Sequence, residues 1–166
     1  MLTAHELFGF MSPGLAQQII QSVHDTDRDL YRGTMAAVAE ARKLRPIFLE
    51  RKARADRDKD IIAALGKPRL EMIAANLIRG WLVKQRQSML VEFLDTLGVP
   101  HKDGTVDDLP PQIDAAKLES AIGKLLEKHP REEVAVYLHA FYSMNEANWP
   151  NLKAMLETDP RLQLGT

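Results

Sequence analysis

Proline and glycine cut this chain into segments of about ten to twenty residues, and inside each segment large apolar residues return every third or fourth position. Only a helix places positions three and four apart on one face, so this spacing predicts an all-α fold. The stripes Leu15, Ile19, Ile20, Val23 and Leu70, Ile73, Ala74, Leu77, Ile78, Trp81 are typical. Met89, Leu90, Phe93, Leu94, Leu97 and Leu118, Ala121, Ile122, Leu125 repeat the pattern. The boundaries carry start and stop chemistry. Thr3 with Glu6 three residues later is a capping-box pattern, Ser12-Pro13 places proline where a helix has no use for its N–H, and Asp27 and Asp114 precede helical runs. Gly66 and Gly98 sit where helices should stop. The expected architecture is a multi-helix array of packed antiparallel helical hairpins, about seven to nine helices with no sheet.

The stretch from Glu50 to Asp60 interrupts this grammar, because it holds no apolar residue larger than alanine. Such a segment lacks a face for a core and reads as a solvated helix or connector, supported by Glu50 with Arg54 and Asp56 with Lys59. The expected division is therefore an N-terminal helical subdomain at 1–60, ending in a polar, basic linker helix at about 42–60, and a C-terminal helical core at 61–166. A single domain spanning both is the alternative. A weak echo joins Arg69-Leu70-Glu71 and Leu77-Ile78 to Lys117-Leu118-Glu119 and Leu125-Leu126, 48 residues on, as stacked helix pairs would produce.

Charge follows the same division. Residues 1–86 carry 15 Lys/Arg against 10 Asp/Glu, a net +5, whereas residues 87–166 carry 7 against 13, a net −6. The two halves could neutralise each other side by side, or leave a basic face for an acidic partner or a second copy. Arg42, Lys43, Arg45, Arg51, Lys52, Arg54, Arg57 and Lys59 form the candidate interaction segment. Four acids lie among residues 42–60 and few aromatic groups are near, while the pI is close to 6.5, so nucleic acid is the second choice of partner after protein.

Chemistry-bearing motifs are missing from the sequence. With no cysteine, thiolate zinc sites, iron–sulfur clusters and cysteine nucleophiles are excluded. No zincin motif, nucleophile elbow, phosphate loop or dinucleotide fingerprint occurs. His24-Asp25-Thr26-Asp27-Arg28-Asp29 reads as helix-start acids, since neighbours on a helix diverge. His139 on its helix is expected to bond a carbonyl rather than a metal. No catalytic residue, cofactor site or metal site is assigned.

The one long non-helical region, 98–113, holds three of the nine prolines. Its His101, Asp103, Asp107 and Asp108 are the candidate functional-loop residues, with His101 expected to be solvated beside a glycine turn. No apolar run approaches the roughly 20 residues that cross a bilayer, and no leader pattern begins the chain. The sequence therefore points to a soluble, cytoplasmic, non-catalytic interaction or scaffold module with a protein partner or self-association and no membrane. Nucleic-acid binding through 42–59 is the alternative, and an enzyme with a pocket under 98–113 comes third.

Overall fold

The computed structural model describes residues 1–165; Thr166, the last residue of the expected C-terminal core, lies outside the described residues. Ten α-helices and two 3-10 turns, with no strand, are present among the described residues. The array is all-α, as expected, with one helix more than anticipated because the short Pro46–Glu50 turn is helical. Backbone contacts divide it into two compact units, one of residues 3–81 and one of residues 82–165 together with Met1–Leu2.

In the N-terminal unit, α1 (Ala4–Phe10) begins at Thr3, whose N–H donates to Glu6 Oε2 at 2.8 Å. The backbone N–H groups of Ala4 and His5 donate to the Glu71 carboxylate at 2.8 and 2.7 Å. A carboxylate from α6 (Glu71–Gln85) thus meets the positive end of α1 and satisfies two of its orphan donors. Helices α2 (Pro13–Thr26) and α3 (Arg28–Ala41) are joined by one residue, Asp27, which closes the first and caps the second by accepting from Leu30 N–H at 3.1 Å. A linker this short makes the two helices neighbours, and they pack. Then come α4 (Pro46–Glu50), α5 (Arg54–Leu65), a 3-10 turn at Pro68–Leu70 and α6 (Glu71–Gln85).

Segment 50–60 is not the coreless connector the composition suggests. Arg51–Ala53 break the chain, so Glu50 and Arg54 fall in different helices and their four-residue register is lost. From Arg54 onward the residues are the first turns of α5, which packs on α1, α2 and α3. The helix enters the core through Ile61, Ala64 and Leu65, and it carries Asp58 in with them.

In the C-terminal unit, Arg86 turns the chain between α6 and α7 (Gln87–Leu97). It stands at the start of α7, and its guanidinium reaches the buried Glu133 carboxylate at 2.6 Å. The polar run at 84–88 breaks the apolar stripe for that reason: one of its members must face inward. Gly98 stops α7 in the left-handed region at φ 71°. Helix α8 (Ala115–Lys128), capped by Asp114, packs on α7, and α9 (Arg131–Met144) and α10 (Pro150–Thr158) follow.

Helix α9 buries nine consecutive residues, Glu133 to Phe141. Helical spacing alone picks out only Val134, Tyr137, Leu138 and Phe141 as an inward face. A helix buried on all sides shows no single stripe, and small Ala135, Val136 and Ala140 give little signal of their own. Its Tyr137 ring stands edge-on to Phe93 (5.5 Å between centroids), with Phe141 and Trp149 extending the aromatic cluster.

Two substitutions test this packing. The Tyr137 hydroxyl is buried without a hydrogen-bond partner, and burial holds the phenol far above its usual pKa. Tyr137→Phe keeps the ring and removes that stranded group, so it should stabilise the fold by about 1 kcal/mol in urea unfolding. Gly104 occupies φ 89°, and a Cβ there would lie 2.7 Å from Leu90 Cβ. Gly104→Ala should therefore cost about 1–3 kcal/mol in the same measurement.

Candidate functional site

The sequence nominated two places, and the structure treats them differently. In the 98–113 loop, Lys102 and Thr105 exchange backbone hydrogen bonds at 2.9 and 3.0 Å around Asp103 (φ 53°) and Gly104 (φ 89°). Two successive left-handed residues of the Asp-Gly type make a tight hairpin turn. His101 is not solvated as expected. Its Nδ1 accepts from Gly104 N–H at 3.0 Å and its Nε2 donates to Asp95 at 2.7 Å, so both ring nitrogens are used to hold the turn. Asp103 offers only its backbone carbonyl, to Gln87 at 3.1 Å. Asp107 and Asp108 are exposed and line separate clefts, the first beside Asn145 and Glu146, the second beside Asp114 and Lys117. The four loop residues do not converge. Among the described residues no three His, Asp or Glu side chains are placed to hold a metal.

The remaining histidines are also occupied. His139 accepts from Leu2 N–H at Nδ1 and donates to the Leu162 carbonyl at Nε2, each at 3.0 Å. It bonds a carbonyl, as expected of a buried histidine, and burial lowers its pKa. His5 meets Glu71 at 2.7 Å, His24 meets Asp25 at 2.9 Å, and His129 meets Glu92 at 3.0 Å.

The basic segment resolves into two groups. Arg42 and Lys52 converge on one acceptor, Asp60, with Arg42 at 2.7 Å; these bonds hold the Asp60 carboxyl below its ordinary pKa. Arg57 lies over the Tyr31 ring at 5.8 Å, and burial raises the pKa of Asp58 while the charges of Arg54 and Arg57 pull it down. These four cations are part of the fold. Lys43, Arg45, Arg51 and Lys59 are exposed and carry no ion pair or hydrogen-bonded side-chain partner among the described residues.

What sequence reasoning missed is the company these cations keep. Leu44, Ile47 and Phe48 are 38, 44 and 51% exposed, while Leu49 between Phe48 and Glu50 is fully buried and anchors the turn. Pro46 explains the exposure. It restarts the chain as α4, five residues long, so one turn has room for a single inward apolar side chain and the others face solvent. The signal was present as Leu44-Arg45-Pro46-Ile47-Phe48-Leu49, but apolar residues this dense are ordinarily assigned to a core.

Lys43 adds a second oddity. Its N–H bonds Glu40 O at 3.0 Å and the Leu44 N–H bonds Ala39 O at 2.8 Å, the paired bonds of a Schellman stop. The left-handed position of that stop normally holds glycine; here Lys43 takes it at φ 57°. A lysine is kept where glycine would be more stable, directly beside the exposed apolar residues. No helix is long and apolar enough to cross a membrane. No family model, curated protein or solved structure matches the chain, so its own residues carry the functional reading.

Asp58 offers a test of the inner group. It is 3% exposed, one carboxyl oxygen lacks a partner, and desolvation raises its pKa above the ordinary 3.8 despite Arg54 and Arg57. The folded state then holds the proton more tightly than the unfolded one, so this group's contribution worsens as pH rises through 3.8 and above. Asp58→Asn should gain stability over the parent at neutral pH, and thermal melts should show that gain shrinking below about pH 4.

Proposed function

We propose that this protein is a non-catalytic interaction module that binds an acidic protein segment through the face formed by the end of α3 and by α4. One observation carries the reading: Leu44, Ile47 and Phe48 are exposed together among the unpartnered cations Lys43, Arg45 and Arg51. Burying three such side chains against a partner is worth several kcal/mol, at about 25 cal/mol for each Å² of apolar surface removed from water. The cations add orientation and a faster encounter with an acidic surface. An apolar centre with a charged rim is the anatomy of a protein interface, and it is a poor match to nucleic acid, whose binding rests on phosphates and base stacking. The left-handed Lys43 supports the same reading, because its strained position lies directly beside the exposed apolar residues.

Selection of a random peptide library on the intact protein tests this. Enriched peptides should combine Asp or Glu with large apolar residues, and Phe48→Ala should weaken them tenfold or more. Lys43→Gly should separate function from stability, raising the unfolding free energy by about 1 kcal/mol while weakening the same peptides. Failure to enrich acidic, apolar peptides would overturn the proposal. So would equal binding by the Phe48 variant, or tighter binding of duplex DNA or single-stranded RNA at the same salt.

A further inference from the structure

A second surface in the N-terminal unit has the features of a small-molecule site. Between the C-terminal end of α3 and the second half of α5 lies a cleft of about 370 Å³, within the range of ligand pockets. Its apolar lining is made of small side chains, half-buried Ala41 from α3 with buried Ala64 and exposed Ala63 from α5, together with buried Leu70. Alanines along the line where α3 and α5 pack leave space that larger residues would fill. The rim is charged: Arg42, Lys67 and Arg69 against one carboxylate, Asp60. That carboxylate is already shared by Arg42 and Lys52, whereas Lys67 and Arg69 have no ion-pair partner among the described residues.

We infer that this cleft binds a small amphiphilic carboxylate, its apolar tail on the alanine lining and its anionic head between Lys67 and Arg69. Each part of that ligand answers one part of the site. A neutral apolar molecule would leave both cations unanswered, and a bare anion would leave the lining wet. Asp60, tied to Arg42 and Lys52, stays ionised and disfavours a cationic head at the rim. The site uses neither Leu44 nor Phe48, so it stands independently of the α4 face.

Octanoate, titrated into the isotopically labelled intact protein and followed by backbone amide shifts, tests the assignment. Saturable shifts should centre on residues 41–42, 60–64 and 67–70, and hexanoate, heptanoate and octanoate should tighten about fourfold per added methylene. Octanol and acetate should each bind at least tenfold more weakly. Lys67→Gln with Arg69→Gln should remove the preference for octanoate over octanol. Ala63→Trp, at an exposed position whose side chain would enter the cleft, should block both, with its thermal melt confirming an intact fold. The inference is overturned if octanoate fails to saturate at millimolar concentration, if octanol binds as tightly, if the double variant keeps the preference, or if the shifts centre elsewhere.

Discussion

Each of these helices must be started, and every start leaves backbone N–H groups with no partner inside the helix. In α1, α2, α3 and α8 some of those groups are met by side chains. Asp27 serves the end of α2 and the start of α3 at once. Ser12 and Asp114 accept from the third residue of their helices, and Glu71 reaches α1 from another helix altogether. Where the restart is as short as Asp27, successive helices have little choice but to fold back on one another, whereas α7 and α8 pair across the long 98–113 loop. The hairpins follow from that, and so does the place of α4, whose restart at Pro46 comes too late and runs too briefly to bury its apolar residues.

The start and stop chemistry was legible because it is local. A serine before a proline, an aspartate before an apolar stripe and a glycine after one keep their meaning whatever the rest of the chain does. The class of fold and most helix boundaries therefore follow from residues a few positions apart. The features that distant residues create were not legible. Nothing near Arg86 in sequence announces that its guanidinium will pair with Glu133, or that a polar run would bend for that reason. Asp58 looked like one more charge in a polar stretch, and only the packing of α5 on three other helices draws it inside.

The candidate surface was half legible for the same cause. The eight cations were easy to count, yet counting cannot show that Arg42, Lys52, Arg54 and Arg57 are occupied within the fold while Lys43, Arg45 and Arg51 are not. Nor can it show that Leu44, Ile47 and Phe48 remain outside. The histidines make the reverse case: each has its ring committed to a neighbour. Function in such a chain is sought among groups the fold leaves unused.

The His139 ring has one more implication. A single imidazole, held at 3.0 Å on one edge by the amide of residue 2 and on the other by the carbonyl of residue 162, brings two far-separated points of the chain to within one ring's width. Leu2 and Leu162 therefore share one corner of the C-terminal unit.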